Sequence, residues 1–385
     1  MLIAVPKETH PGETRVPIIP ETVNRLVKKG AVIAVEKGVG GAIHVPDSAY
    51  ESAGASIRAD RESLLGDADL VLRLRKPPAD EINLLKSGSI HVSFLDPFNE
   101  RALVETLALR GVSAISMEMI PRTTRAQKMD ALSSQANLAG YAAVIIAANT
   151  LDMAFPMMMT PAGTLKPARV FIIGAGVAGL QAIATAKRLG ARVDAFDTRP
   201  VVEEQVHSLG AKFVKIDLGE TGQTKDGYAK ELTPEQQQRQ REGMAKICAQ
   251  SDVVITTAKL FGRKAPTLVT REMVAGMRPG SVIVDLAVET GGNVEGVRLD
   301  EVADINGVKV VGTSNLEGRV PVHASQMYSA NLGNLVEEFW DKDAKVFSLK
   351  IGDEIIDGCL VTHAGNVRHP MIRKTYGLAE PAAKI

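Results

Sequence analysis

A glycine-rich run at 174–179 has the spacing of a dinucleotide-binding turn. Gly174, Gly176 and Gly179 form the pattern G-x-G-x-x-G, which follows the apolar segment 169–173 and precedes a stretch with the apolar spacing of a helix. In such a turn the first glycine permits a tight bend, the second lets the backbone approach a pyrophosphate, and the third lets helix and strand pack closely. The first N–H groups of the helix then face the phosphates. The predicted nucleotide contacts in this turn are Gly174, Gly176, Val177, Ala178 and Gly179.

An acidic residue follows the next predicted strand. Asp197 comes directly after the apolar segment 191–196, where an acid hydrogen-bonds the ribose hydroxyls of the adenosine. It also repels a 2′-phosphate, because two like charges about 4 Å apart cost roughly 1–4 kcal/mol at effective dielectric constants from that of water down to about 20. The sequence therefore favours NAD(H) over NADP(H), with Thr198 and Arg199 as further cofactor-binding residues. Arg199 and Arg192 weaken this preference, since an arginine can accommodate the phosphate.

Alternating apolar strands and helices surround the glycine run on both sides. The strands predicted before it are 2–6, 31–36, 69–74, 89–95 and 111–116. Those predicted from it onward are 169–173, 191–196, 212–216, 252–256, 281–285 and 308–311. Such alternation indicates βαβ units and mostly parallel sheets. We therefore predict an α/β fold with two Rossmann-like, doubly wound parallel-sheet domains joined by long helices.

Two helical stretches predict where one domain passes into the other. The alanine-rich stretch 134–153 is interpreted as a spine between them, with a core helix of the first domain as the alternative. A helix at 325–340 is expected to return the chain to the first domain. The predicted division is therefore 1–133 with 325–385 for the amino-terminal domain and 134–324 for the nucleotide-binding domain.

A polar segment at about 217–243 interrupts the pattern. It is rich in Gly, Gln and Lys and nearly free of large apolar residues. Loops longer than about 12–15 residues are uncommon in compact domains and are usually lids, binding loops or disordered segments. We predict a mobile loop here, while a solvated helix over 234–247 is the alternative for its second half.

Composition limits the kinds of function. The chain has 385 residues, with 45 Lys and Arg against 45 Asp and Glu, so no overall field attracts nucleic acid or anionic lipid. Cys248 and Cys359 lie in no CxxC pattern, and we expect neither a metal site nor a disulfide framework. The amino terminus lacks an apolar signal core, and the longest apolar stretch, 138–148, is shorter than the ~20 residues of a membrane span. We expect a chain that does not cross a bilayer and that reaches a membrane only by docking on another subunit.

Two runs resemble the family shared by alanine dehydrogenase and the NAD(H)-binding (alpha, domain I) subunit of proton-translocating NAD(P)+ transhydrogenase. One is V-P-K-E at 5–8, with Glu13, Arg15 and Pro20, and the other is V-D-L-A-V-E-T-G-G-N at 284–293. The resemblance covers nearly the whole chain, which supports the predicted fold.

Two further stretches are similar to the transhydrogenase branch. The run P-R-T-T-R-A-Q-K-M-D-A-L-S-S-Q-A-N-L-A-G-Y at 121–141 corresponds to a loop and helix that border the nicotinamide in that branch. The residues carried over, as catalytic and cofactor-binding, are Arg122, Gln127, Asp130 and Ser133. The run D-G-Y-A-K-E at 226–231 resembles the branch's mobile loop, whose tyrosine, here Tyr228, closes over bound nucleotide. The alternative for residues 122–133 is an ordinary solvated loop.

The alanine dehydrogenase branch differs at its catalytic positions. That enzyme uses a Lys and a His to hold and protonate a keto acid, and by alignment these positions hold Arg75 and Asp96. A family Asp is Glu289 here, whereas Arg15, a binder of the substrate carboxylate in that enzyme, is retained. An amino-acid dehydrogenase remains the alternative function, and a non-catalytic NAD-sensing module is a third hypothesis.

The transhydrogenase reaction requires no proton-transferring side chain at the reacting carbons. Hydride exchange between two nicotinamides moves no proton there, so the protein's task is to hold two rings ~3–3.5 Å apart and away from water. By this hypothesis Gln127 and Ser133 fix the carboxamide and ring, while Arg122 and Asp130 steady the loop. His91, Glu118 and His323 have no motif around them and are expected to be structural.

The resemblance also implies partners. The chain has one dinucleotide pattern, so NADP(H) and the proton channel are expected on other subunits, one of them spanning the membrane. The chain ends at Ile385 with no predicted span, which favours a separate homodimeric subunit, peripheral on the cytoplasmic face of the inner membrane.

Overall fold

The computed structural model describes residues 1–219, 221–222 and 232–379. Its contacts divide the chain into a first unit, Met1–Gln135 with Val320–Ile385, and a second unit, Ala136–Arg319.

The amino-terminal part of the first unit alternates short buried strands with helices. The strands are β1 (Leu2–Val5), β2 (Val32–Glu36), β3 (Ser56–Arg58), β4 (Leu70–Leu72), β5 (Ile90–Ser93) and β6 (Ser113–Ser116). The helices are α1 (Pro20–Lys28), α2 (Asp47–Ser52), α3 (Arg61–Asp67) and α4 (Arg101–Leu109), followed by α5 (Ala131–Thr150). Runs such as LVL in β4 are buried at every position, as is typical of parallel strands covered on both faces.

The second unit repeats the alternation around the glycine run. Its strands are β7 (Met158–Thr160), β8 (Gly163–Leu165), β9 (Arg169–Ile173), β10 (Arg192–Phe196), β11 (Lys212–Phe213), β12 (Val253–Thr256), β13 (Val282–Asp285), β14 (Val302–Ile305) and β15 (Val308–Val311). Its helices after α5 are α6 (Val177–Arg188), α7 (Glu203–Ser208), α8 (Pro234–Cys248) and α9 (Arg271–Ala275).

The carboxy-terminal segment completes the first unit. Its helices are α10 (Pro321–Glu338), α11 (Glu354–Cys359) and α12 (Pro370–Tyr376). Its strands are β16 (Trp340–Asp341), β17 (Val346–Phe347), β18 (Leu360–His363) and β19 (Asn366–Val367).

The sheet orders confirm the predicted fold class. Among the described residues, the sheet of the first unit runs β19-β18-β6-β5-β4-β1-β2-β3, and that of the second runs β11-β10-β9-β12-β13-β15-β14. Within these two sheets, pairing is parallel except at β14, β18 and β19. Two separate antiparallel pairs are β7 with β8 and β16 with β17. In the second sheet Val170 of β9 lies opposite Val193 of β10 and Val253 of β12, so the strand order changes direction at β9. Ligands of open α/β sheets bind at the carboxyl ends of the strands beside such a switch point.

Helix α5 belongs mainly to the second unit. It begins at Ala131, three residues before the predicted start, and ends at Thr150. Ala139, Ala143 and Ala147 are buried in the core of the second unit, so the alternative of a core helix of the first domain is wrong for this part. In the described part of the chain, α5 is also the one helix that is long and apolar enough to span a membrane, a test that core helices pass as well.

The predicted loop at 217–243 is partly wrong. Helix α8 begins at Pro234, and Thr233 caps it by accepting from the backbone N–H of Gln236, whose side chain accepts from the backbone of Thr233 in return. The alternative, a helix over the second half of this segment, is therefore confirmed. Tyr228 lies outside the described residues.

Both cysteines are buried, one in each unit. Cys359 lies at the end of α11 in the first unit, and Cys248 lies at the end of α8 in the second. Burial raises the pKa of the Cys248 thiol to about 12 and also raises that of Cys359. Neither thiol is a nucleophile near neutral pH, because the thiolate is the reactive form.

Candidate functional site

Close contacts explain two of the three glycines in the turn between β9 and α6. Gly174 has a φ of +99°, and a Cβ there would lie 2.4 Å from the Thr257 hydroxyl oxygen. A Cβ on Gly179 would lie 1.8 Å from the Gly174 carbonyl oxygen. Thr257 fixes the turn from the other side, because its hydroxyl donates to the Gly174 carbonyl at 3.1 Å. Thr257 follows β12, and no motif in the sequence marks it.

The amino end of α6 provides room and donors for a diphosphate. Gly176 is the N-cap, and no side chain of the described residues caps the helix. A Cβ built on Gly176 would meet only Arg199 Nη2, at 4.0 Å. The first N–H groups of a helix have no partner within the helix, and its dipole favours an anion there. The turn therefore fits the diphosphate of NAD(H), with Val177 and Ala178 in the first helical turn.

Asp197 lies beside this turn and is saturated with hydrogen bonds. One carboxylate oxygen accepts from the Arg199 backbone N–H at 2.8 Å and from Arg199 Nε at 2.9 Å. The other accepts from the Ala175 N–H at 2.8 Å and from Arg199 Nη2 at 2.7 Å. The carboxylate thus connects the glycine turn to the end of β10.

A cavity of about 200 Å³ opens next to Asp197. Its walls include Phe196, Asp197, Thr198, Phe213, Ile216 and Leu218. Glu203, Lys215 and Asp217 also line it, so the cavity combines apolar walls that suit an adenine with polar groups that suit a ribose. Arg192 begins β10, five residues before Asp197, and at ~3.3 Å per residue of strand it lies about 16 Å away. Of the two arginines, Arg199 is therefore the one that lies at Asp197.

A buried carboxylate shapes the loop after β13. Asp285 accepts from the Thr256 hydroxyl and from the backbone N–H groups of Ala287, Asn293 and Val294, at 2.6–3.1 Å. Burial raises the pKa of Asp285. The Asn293 side chain exchanges hydrogen bonds with the backbone of Ala258 at 3.0 and 2.9 Å. Both residues lie in the V-D-L-A-V-E-T-G-G-N run, which carried the resemblance without a role for either, while Glu289 of the same run is exposed.

In the first unit, the predicted nicotinamide loop is anchored to α10. Its backbone is held at Lys128, whose carbonyl accepts from the side-chain amides of Asn331 at 3.1 Å and Asn334 at 2.8 Å. Ala126 and Met129 are fully buried beneath it. Arg122 and Gln127 are exposed on the same loop. An ordinary solvated loop would lack these anchors.

Asp130 and Ser133 form a hydrogen-bonded pair at the start of α5. The Ser133 backbone N–H donates to one Asp130 oxygen at 2.9 Å, and the Ser133 hydroxyl donates to the other at 2.5 Å. Asp130 is therefore the N-cap of the helix. Because the serine proton points at the carboxylate, the Ser133 oxygen is left with acceptor lone pairs.

Glu13 accepts hydrogen bonds from Arg15 and Arg75, which are at the positions of the substrate-binding Arg and Lys of alanine dehydrogenase by alignment. Arg15 donates to both Glu13 oxygens, at 2.8 and 2.7 Å, and Arg75 donates to one of them at 2.6 Å. Arg15 also donates to Gln135 at 2.9 Å. Although burial alone would raise the pKa of Glu13, hydrogen bonding and the charges of both arginines lower it to about 2.

Three of the remaining titratable residues, Asp96, His91 and Glu118, form hydrogen bonds with neighbouring protein groups. Asp96, at the position of the dehydrogenase His, has a φ of +51° and accepts from the Asn99 side chain at 2.8 Å. His91 is completely buried, with Nε2 3.0 Å from the Ser93 hydroxyl. Glu118 accepts from the Leu95 backbone N–H at 2.9 Å. His323 lies exposed in the first turn of α10. The described residues contain no group of His, Cys, Asp and Glu that could hold a metal.

Comparison with known proteins finds relatives along the whole chain. Residues 4–139 match the family model "Alanine dehydrogenase/PNT, N-terminal domain" and residues 143–370 match "Alanine dehydrogenase/PNT, C-terminal domain". An NAD(P) transhydrogenase subunit alpha chain of Rhodospirillum rubrum is 46% identical over 97% of this chain and 99% of its own length. Alanine dehydrogenase of Bacillus subtilis is 30% identical over 83% of this chain and 81% of its own length. A solved transhydrogenase structure from Sinorhizobium meliloti is 45% identical, with a TM-score of 0.86 over 95% of this chain and all of that one.

Proposed function

This chain belongs to the alanine dehydrogenase/PNT family, and from that premise we propose that it is the NAD(H)-binding subunit of a proton-translocating NAD(P)+ transhydrogenase. It binds NAD(H) and exchanges hydride with NADP(H) held by a partner subunit. Within the family, the identity of 46% to a transhydrogenase subunit against 30% to an alanine dehydrogenase supports this choice.

One observation carries the proposal: the residues assigned to the nicotinamide offer positioning groups. Ser133 presents acceptor lone pairs because its proton is held by Asp130, and an acceptor suits the amide N–H of the carboxamide. Gln127 presents a neutral amide from a loop anchored at Lys128. Bound NADH supplies the hydride. Because no proton moves at the reacting carbons, groups that orient the ring and exclude water are sufficient.

The amino-acid dehydrogenase alternative is less well supported. It needs a cation for the substrate carboxylate and an acid for the carbonyl oxygen. Arg15 and Arg75 both donate to Glu13, and Asp96 holds Asn99 at the position of the dehydrogenase His. The NAD-sensing alternative predicts nucleotide binding without hydride transfer.

The proposal extends to partners and location. The subunit is homodimeric and docks on a membrane-spanning subunit that carries the proton pathway and on an NADP(H)-binding subunit. It is Si–Re specific in its hydride exchange and peripheral on the cytoplasmic face of the inner membrane.

The test mixes the purified chain with a transhydrogenase NADP(H)-binding domain. NADH deuterated at C4 is supplied, and the mass of the NADPH formed reports direct transfer. Gln127→Asn and Asp130→Asn are expected to slow transfer on the order of 10²-fold, because small misplacements of a reacting group have effects of that size. NADH binding largely survives. Asp130→Asn retains an acceptor for the helix cap, so folding is preserved.

A matched control and a rival reaction complete the experiment. Gln205→Asn shortens an exposed glutamine of α7 by the same methylene and leaves the rate unchanged. Oxidation of NADH with pyruvate and ammonia at enzymatic speed would replace the proposal with the amino-acid dehydrogenase. If the Gln127 and Asp130 variants lose NADH binding as well, those residues contribute to the affinity for NADH and not to the positioning of its nicotinamide ring.

A further inference from the structure

The hydrogen bonds of Asp197 leave no acceptor for the ribose it is expected to bind. An ionised carboxylate has about four lone-pair sites. In Asp197 all four are used, two by the backbone N–H groups of Ala175 and Arg199 and two by the Arg199 guanidinium. The backbone donors are fixed by the chain, whereas the guanidinium is on a flexible side chain.

The guanidinium therefore occupies the position that a ribose diol requires. Its Nη2 lies 2.7 Å from Asp197 and 4.0 Å from the Cβ position built on Gly176, at the glycine turn itself. Nucleotide binding must exchange the two side-chain hydrogen bonds of Arg199 for those of the ribose hydroxyls. Because Arg199 is two residues from Asp197, its flexible side chain stays within reach of the ribose edge that would carry a 2′-phosphate.

We propose that Arg199 is a latent 2′-phosphate receptor that Asp197 keeps occupied, so that the Asp197–Arg199 pair sets the preference for NAD(H). Arginine binds phosphate through paired N–H donors, but here those donors are committed to the carboxylate. Without the carboxylate, Nε and Nη2 lose the acceptor that holds them, and a phosphate can take its place. The inference rests on the nucleotide site of the proposed function, but not on hydride transfer.

Other charges at the cavity limit the size of the effect. Glu203 and Asp217 also line it, and Glu203 pairs with Lys215 at 2.8 Å. Removing Asp197 changes the local charge by one unit and leaves these groups in place. We expect a gain of about tenfold or more in NADPH affinity, the scale of one charged hydrogen bond.

The test is a double-variant cycle on the full chain. NADH and NADPH are titrated by nucleotide fluorescence into the original chain, Asp197→Ser, Arg199→Ala and the double variant Asp197→Ser/Arg199→Ala. ADP and 2′,5′-ADP isolate the contribution of the 2′-phosphate. Asp197→Ser is expected to gain NADPH and 2′,5′-ADP affinity, while Arg199→Ala alone gains none and the double variant loses the gain. Asp197→Asn, which keeps the shape and an acceptor for Ala175, gives the same direction if the serine variant folds poorly.

Arg192→Ala is the matched control, since it removes an arginine from the opposite end of β10. It leaves the NADPH to NADH ratio unchanged. Equal NADPH affinity in Asp197→Ser and the double variant would overturn the proposal, because the gain would then not depend on Arg199. If the original chain binds no NADH, the nucleotide site itself fails. If it binds NADH but transfers no hydride, only the proposed reaction fails.

Discussion

The two units hold their chemically important groups in different ways. In the second unit, the nucleotide turn is shaped by glycine backbone, with Gly179 against the Gly174 carbonyl and the Thr257 hydroxyl beside it. In the first unit, charged side chains from separate segments form buried pairs such as Arg15 with Glu13. A methyl group added at Gly179 would collide with backbone, whereas the loss of Glu13 would leave a buried arginine without its counter-charge. Substitutions of the buried charges and of the glycines are therefore expected to change the free energy of unfolding by different amounts and with different pH dependence.

The largest expected effect is in the first unit, on removal of the shared carboxylate. Glu13→Gln leaves Arg15, whose side chain is 1% exposed, without its counter-charge. Breaking a buried ion pair by removing one partner costs about 3–5 kcal/mol. Urea unfolding followed by the fluorescence of the chain's one tryptophan, Trp340, reports this unit.

Glu51→Gln, at an exposed position of α2, is the control and is expected to be nearly neutral. A loss below about 1 kcal/mol in Glu13→Gln would mean that the pair is no stronger than a surface ion pair, and the contrast between the units would fail.

The second effect is a pH dependence of the stability of the first unit, which is caused by His91. Burial, assisted by the charge of Arg73, lowers the pKa of His91 to about 3 from an ordinary value of 6.5. Below pH 6.5 His91 is protonated in the unfolded chain but stays neutral in the folded chain. The contribution of His91 to the free energy of unfolding is therefore complete above pH 6.5 and decreases as the pH falls. Between pH 6.5 and 5 the expected loss is about 2 kcal/mol.

His91→Gln removes this titration and should flatten the curve over the same interval. Other groups contribute equally to both proteins, so the difference between their slopes isolates His91. Parallel curves would show that His91 is protonated within the fold.

The smallest expected change in stability is in the second unit, at Gly176, for which Gly179 is the comparison. Gly179→Ala would place a methyl carbon 1.8 Å from the Gly174 carbonyl oxygen, so the turn must shift, and overpacking of this kind costs about 1–3 kcal/mol or more. Gly176→Ala meets only Arg199 Nη2, at 4.0 Å, so folding should be unaffected while NADH binding weakens. Calorimetry and NADH titration of both variants separate the two roles. Equal stability losses would show that the turn is not shaped by the Gly174–Gly179 approach.

Local patterns explain what is predictable from sequence. The predicted bounds of strands β9 and β15 match the observed ones, because each is a short apolar run between turn-forming segments. The predicted loop at 217–243 extends too far, although the start of α8 is visible in T-P-E-Q at 233–236, where Pro234 follows a capping threonine. Thr233 and Pro234 thus mark in the sequence where the loop ends and the helix begins.

Long-range hydrogen bonds account for the features that could not be predicted from the sequence. The amides of Asn331 and Asn334 hold the Lys128 carbonyl across 203 and 206 residues of sequence. Nothing in the local pattern marks them. The fourfold saturation of Asp197 is equally invisible, since a sequence shows that Arg199 is near but not that its guanidinium is engaged. Fold class follows from periodicity, whereas the state of a site depends on which donors reach which acceptors.

The placement of the two cysteines has a practical consequence. Cys359 and Cys248 are the chain's whole complement of thiols, and one is sealed in each unit. A buried thiol is alkylated only when its surroundings open, so the rates at which the two react measure the opening free energy of each unit within one sample. Coenzyme that binds the second unit should slow the alkylation of Cys248, and should slow it more when it binds more tightly. Comparison of the two alkylation rates would then show which unit binds a ligand.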